Sequence, residues 1–483
     1  MNENANVVEA RSKNSFLAVW FKIKPYINKT LMSPWWALGE FILAAVVIAL
    51  DLEVQGAMAF VWIIIAKLML CNDVLSPFVP FCLMCVFLSD CYDSADIFLP
   101  YIWMAVPVVA AIAVHAIVYR PRWRRGSNLW GSVAVAVAVT LGGLGTISPE
   151  EYFNGTSLYY VGFLGLGMVL AYLATRCYIR EHRGYDVFDH FAGALYAMGL
   201  LACFSVACFY ARDWSTFVET KSFIYFQCSN NLATMLMIAM PFPCYFAAKK
   251  TRVHLLGVAA IYAGVVMSGS RGGLLMGTVE LFICILYLCY ADKKLWYVHA
   301  LAGVALAVLA YFNIDDILAF YNIESVGSFV SQEESRYGLL GRTWEDFRSN
   351  FLFGRGLGYV GNEDIYNPVK GAMHWYHMMI PQVIGSLGIC GIAAYLYQFI
   401  IRVHTIFRRP SVYKLVLGVS YAGLLLMSQV NPGEFCPIPY ALIGVMLFVM
   451  AELRDEASEA ARHGRHNEKA QNKKFFVDSG IEP

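Results

Sequence analysis

Three clusters of residues in this chain have types and spacings suited to chemistry on an anionic substrate. The first is Ser268-Gly269-Ser270-Arg271-Gly272-Gly273, at the junction of two apolar stretches. Arg271 is followed by two glycines, so its guanidinium can leave a helix start unobstructed, beside the backbone N–H groups of that helix. A cation next to a helix N-terminus is an anion site well matched to a diphosphate. The plainer reading is an arginine reaching to a membrane boundary.

The second cluster is rich in arginine and glycine: Arg336, Arg342, Arg348 and Arg355 alternate with Gly338, Gly341, Gly354, Gly356, Gly358 and Gly361. Glycines permit close backbone approach and arginines suit phosphates. A solvated loop whose charges balance Glu333, Glu334, Glu345 and Asp346 is the alternative for most of these residues. Arg342 stands apart because Trp344 and Phe347 follow it, as in a segment lying on the membrane interface.

The third cluster is His374-Trp375-Tyr376-His377, just before an apolar helix that carries Gln382. A histidine there can act as general base or orient a hydroxyl, because its pKa lies near operating pH. Two histidines three apart could instead bind a metal, but no His-Glu-x-x-His pattern or acidic neighbour accompanies them. An interfacial aromatic and histidine cluster is the plainer reading. Glu280 sits about two turns into the helix that follows Arg271, where an ionisable group is costly and often functional.

The elements that must position these residues are membrane helices. Of the 483 residues, 59% are hydrophobic and 15% charged, and the mean hydropathy is +0.54, far too apolar for a soluble protein of this length. Apolar segments fall at 35–51, 55–71, 74–89, 97–119, 128–147, 158–178, 188–210, 230–248, 253–268, 272–290, 295–312, 377–401, 412–428 and 435–453. Each approaches the roughly 20 residues needed to cross about 30 Å of hydrocarbon. The fold expected is therefore an all-α transmembrane bundle of about 12–14 spans. Pro77 and Pro80 interrupt the third segment, which could be re-entrant.

Loop charge sets the orientation. With the N-terminus inside, Arg120, Arg122, Arg124 and Arg125 face the cytoplasm, as do Arg176, Arg180, Arg183, Lys249, Lys250, Arg252, Lys293, Lys294, Arg402, Arg408 and Arg409. The opposite connections are acidic or neutral, with Asp90, Asp93 and Asp96 in one and Glu150 and Glu151 in another. This predicts a cytoplasmic segment 1–34, a transmembrane domain 35–453 and a cytoplasmic tail 454–483, with both termini inside. The connection 313–376 becomes one large external loop, and long loops tend to carry function.

Residues 16–27 carry aromatics among lysines and could lie flat on the inner surface. The start of the chain lacks the apolar core of a cleavable signal peptide, so the first span is expected to direct insertion. The net charge of +1 gives no hint of nucleic acid. The 13 cysteines lie mostly within apolar runs without Cys-x-x-Cys spacing, although Cys91, Cys228 and Cys436 leave room for one external bridge.

An ordered series of short motifs resembles the O-antigen ligase and O-antigen polymerase superfamily of bacterial membrane glycosyltransferases. It runs from Ser229-Asn230-Asn231 through Ser270-Arg271-Gly272-Gly273 and Gly341-Arg342-Thr343-Trp344 to Phe351-Leu352-Phe353-Gly354-Arg355-Gly356-Leu357-Gly358. It closes with His377, Gln382 and Gly385-Ser386-Leu387-Gly388-Ile389-Cys390-Gly391. The resemblance covers roughly 225–400.

It implies an all-helical bundle of the lipid-dependent glycosyltransferase type in a bacterial cytoplasmic membrane, with the active site facing outward. Arg271, Arg342 and His377 would be the catalytic residues. Arg336, Arg355, His374, Gln382 and Asn231 are the expected substrate-binding residues. The asparagine usual after the family's histidine is replaced here by Met378.

The donor implied is a polyprenyl-diphosphate-linked glycan and the acceptor a saccharide or lipid-saccharide. The diphosphate would be held by Arg271 and Arg342, and His377 would position or deprotonate the acceptor hydroxyl. Neither metal nor cofactor is needed in principle, because guanidinium groups can neutralise the leaving diphosphate. A polytopic transporter or flippase of a lipid-linked glycan is the alternative, with Glu280 as its strongest feature.

Overall fold

In a computed structural model the described residues are mostly helical and include no strand; they are 23, 26–90, 95–142, 155–179, 186–215, 229–294, 296–315, 334–357, 376–431 and 433–458. In chain order the first helices are α1 (Pro34–Ala49), α2 (Glu53–Leu70), α3 (Phe78–Asp90), α4 (Ala105–Val118), α5 (Asn128–Gly142), α6 (Gly155–Tyr160), α7 (Met168–Tyr178) and α8 (Val187–Arg212). There follow α9 (Ser229–Ala239), α10 (Pro241–Lys249), α11 (Leu255–Met267), α12 (Arg271–Ala291), α13 (Trp296–Phe312), α14 (Glu334–Ser349), α15 (Met379–Phe407), α16 (Val412–Met427) and α17 (442–458).

Among these residues seven helical stretches are long and apolar enough to cross a membrane, and six more are apolar but only 10–17 residues long. The expected segments are nearly all helical, but many fall short of a full bilayer crossing. The third segment is helical only from Phe78, because the stretch before it carries Asp73, whose carboxylate caps the Leu75 N–H. The presumed loop 313–376 is not all loop: it contains α14.

Lipid explains the surface. Ile117 is 79% exposed and Leu256, Val106 and Leu301 are nearly as open, a pattern that water would oppose and hydrocarbon accepts. Local signals start the helices. Ser33 accepts from the Trp36 N–H with Pro34 in the first turn of α1, and Asp186 accepts from the N–H groups of Phe188 and Asp189 at the head of α8.

The chain forms two compact units. One comprises Met1–Trp123, Cys177–Glu333 and Gly423–Gly433; the other comprises Arg124–Arg176, Glu334–Ala422 and Glu434–Pro483. In the first, α8 packs against α3, α9 and α11, and α12 against α9, α11 and α13. A buried ion pair joins α1 to α2: Glu40 lies 2.7 Å from Lys67, and Trp36 donates its indole N–H to the same carboxylate.

In the second unit, α5 and α15 pack along their lengths around a core that includes Val135, Val139, Leu164, Val383, Leu387 and Phe435. Glu452 on α17 accepts from the backbone N–H and side-chain amide of Asn128, closing the head of α5. Arg402 and Glu434 form a second buried pair at 2.8 Å, shared with the Tyr421 hydroxyl. Both are buried charges paired within the protein, which the apolar run pattern concealed.

Candidate functional site

In the second unit the site is built on a break in α15. The helix begins at Met379, and Gly388 interrupts it with φ +59° and ψ −152°. Around the break the carbonyls of Gly385 and Ser386 and the N–H groups of Ile389 and Cys390 need partners outside the helix. The glycine-rich stretch after α14 supplies them. Arg355 N–H donates to Gly385 O at 2.9 Å and Gly356 N–H to Ser386 O at 2.7 Å, while Ile389 and Cys390 donate to the carbonyls of Phe351 and Leu352. Two sequence motifs about thirty residues apart are one interlocked backbone structure.

This docking fixes the arginines. Along α14, Leu339, Thr343 and Asp346 form the buried stripe that packs on α15, whereas Leu340 and Trp344 are exposed and Trp344 stacks on Phe347. Asp346 is 1% exposed and draws in three groups. Arg342 donates from Nε at 3.2 Å, one helical turn away, and Arg355 approaches with its Nε at 3.5 Å. The Tyr376 hydroxyl donates to the same carboxylate. Glu345 lies 3.9 Å from Arg342 but is largely in water, so its pull is weak.

The Arg342 and Arg355 side chains are 14% and 15% exposed. The arrangement is therefore two partly exposed cations held by one buried carboxylate. Such preorganised donors suit a phosphate or diphosphate. The reading of Arg355 and Asp346 as members of a solvated loop fails here, because Asp346 is a core residue.

Tyr376 and His377 stand just before α15. The Tyr376 N–H donates to the Gln382 side chain at 3.1 Å, and the Gln382 amide donates to Ser386 Oγ at 2.9 Å. Gln382 is fully buried. Its polar atoms bind the protein itself, so it holds the entry to α15 in shape; this differs from the substrate contact expected for it. Burial and then the Asp346 carboxylate push the Tyr376 phenol well above its usual range, so it remains a donor. His377 is partly exposed and has φ +51°, in the left-handed region that few side-chain-bearing residues adopt.

The first unit holds the other motif residues. Ser270 caps α12 by accepting from the Gly273 N–H at 2.8 Å and donates to Asn230 Oδ1 at the head of α9. Asn231, beside it, accepts from the Asn431 amide at 2.8 Å. The Ser229-Asn230-Asn231 and Ser270-Arg271 motifs are thus joined, with Arg271 the first residue of α12 and partly exposed.

Arg336 falls on the first turn of α14, its side chain outside the described residues, and His374 lies wholly outside them. So do Cys91 and Cys228, whereas Cys436 is a free thiol that donates to Ile438 O. Among the described residues no three His, Cys, Asp or Glu are grouped to hold a metal ion.

Sequence reasoning missed Asp346 and Tyr376 as organisers. The i,i+4 spacing of Arg342 and Asp346 was the available signal. No protein-family model matches the chain, and no curated protein or solved structure matches it.

Proposed function

We propose that the chain is a membrane glycosyltransferase that moves a glycan from a polyprenyl-diphosphate donor to a saccharide acceptor at the external face of a bacterial cytoplasmic membrane. The observation that carries the reading is the pair Arg342 and Arg355, clamped at a broken helix by one buried carboxylate that Tyr376, the residue before His377, also bonds. Guanidinium groups held in place are suited to phosphate oxygens.

In the proposed reaction the acceptor hydroxyl attacks the anomeric carbon of the donor and the polyprenyl diphosphate leaves. Negative charge grows on the leaving group, so fixed guanidiniums stabilise the transition state more than the ground state. His377 orients the acceptor or takes its proton. Arg271 offers a helix-terminal cation of the same chemistry within its own unit. An external site requires both termini inside, which impermeant thiol reagents applied to single-cysteine variants of the basic loops would check.

The deciding experiment is glycan transfer by the full chain reconstituted in lipid vesicles. Arg271→Ala, Arg342→Ala and His377→Ala are each expected to lower turnover by on the order of 10²-fold. Full turnover in all three would overturn the assignment. A transporter or flippase of a lipid-linked glycan is the second reading, favoured by the buried Glu280 on α12. It predicts movement of labelled donor between leaflets without any new glycosidic bond.

A further inference from the structure

Glu280 lies about two and a half turns below Arg271 on α12. Its side chain is fully buried, and neither carboxyl oxygen has a hydrogen-bond partner among the described residues. Glu40, within α1, differs, since it faces Lys67 at 2.7 Å.

The carboxyl lies flat against Gly423. A Cβ built on that glycine would come within 2.2 Å of Oε1 and 2.7 Å of Oε2, so no larger residue fits there without moving the acid. The titratable neighbours are the thiols of Cys244 on α10 and Cys284, one turn further along α12. Tyr262 of α11 bonds Thr278, and His299 of α13 pairs with Asp292 at the far end of α12. No cation faces Glu280 among these groups.

An ionised carboxylate in such a place would forfeit several kcal/mol of hydration with nothing in return, so the group carries its proton. Even the neutral acid leaves one donor and its acceptors unmet, a penalty that a methionine or leucine would avoid. We propose that Glu280 is an intramembrane proton-binding site whose proton exchanges with the aqueous phase, seated in the notch that Gly423 leaves open. The inference holds whether the chain transfers a lipid-linked glycan or moves one.

The proposal is tested on the full chain in lipid vesicles. The infrared difference between wild type and Glu280→Gln is expected to show the carbonyl band of an undissociated acid at neutral pH, shifting to lower frequency after equilibration in D2O. A second measurement needs no variant. Dicyclohexylcarbodiimide, an apolar reagent, adds to a protonated carboxyl: the acid oxygen bonds the central carbon, the proton passes to nitrogen, and rearrangement leaves an N-acylurea with nothing released. Mass spectrometry is expected to find this adduct on Glu280 of the wild type, at least tenfold more than with a water-soluble carbodiimide. Absence of the acid band, a band unmoved in D2O, or an unlabelled Glu280 overturns the proposal.

Discussion

Gly354 and Gly388 meet backbone to backbone, each occupying the space where the other's neighbours would collide with a side chain. A Cβ on Gly388 would lie 2.7 Å from Gly354 N, and a Cβ on Gly354 would lie 2.5 Å from Leu387 N. Both residues also have positive φ, at +59° and +66°. Because the opposing atoms are main chain, they cannot swing aside. Gly388→Ala or Gly354→Ala should therefore destabilise the docked stretch by about 2–4 kcal/mol. The check is limited proteolysis: cleavage after α14 should rise sharply in either variant while the apolar helices remain protected.

Asp346 is the common partner of Arg342, Arg355 and Tyr376, so its charge organises the site without touching a substrate. Asp346→Asn leaves two guanidiniums facing a neutral amide. Loss of a buried partner costs about 3–5 kcal/mol, and the partial exposure of both arginines puts this case at the lower end. Transfer activity should fall with it, and thermal unfolding of the purified variant in detergent measures the stability change. Unaltered stability would mean that the arginines are held by other groups.

His377 occupies a left-handed conformation that glycine adopts without strain. His377→Gly should be more stable than His377→Ala by about 1 kcal/mol, since alanine keeps the strain and loses the imidazole. Both should lose transfer activity by on the order of 10²-fold if the ring handles a proton. Comparing the two in the same melting experiment separates the backbone effect from the chemical one.

The Tyr376 phenol gives a pH signature. Burial and the Asp346 carboxylate raise its folded-state pKa above the unfolded value of about 10. The folded protein therefore holds this proton more tightly than the unfolded chain. Its contribution is complete below about pH 10 and declines as the pH rises from there toward the folded pKa. Tyr376→Phe should lose about 1–3 kcal/mol at neutral pH and show a shallower alkaline decline than wild type. Denaturant titrations at neutral and alkaline pH would show the two curves converging; parallel curves would contradict this role for the phenol.

Hydropathy made the helical class legible, because lipid exposure is a property of each apolar run by itself. Capping residues such as Ser33, Asp186 and Ser270 act over three or four positions and are equally local. The helix inside 313–376 was hidden because α14 alternates charged, aromatic and small residues and has no long apolar run. Its buried face, Leu339, Thr343 and Asp346, forms on packing against α15.

Residue types alone selected Arg271, Arg342 and His377 as candidates and marked Glu280 as out of place in lipid. They could not say that Phe351–Gly356 would pair with the break at Gly388, because those hydrogen bonds join segments whose proximity depends on the folded chain. Nor could they separate Glu40, which meets Lys67, from Glu280, which pairs with no cation among the described residues. A charge or glycine in a sequence states a requirement, and only packing between distant segments determines which group answers it.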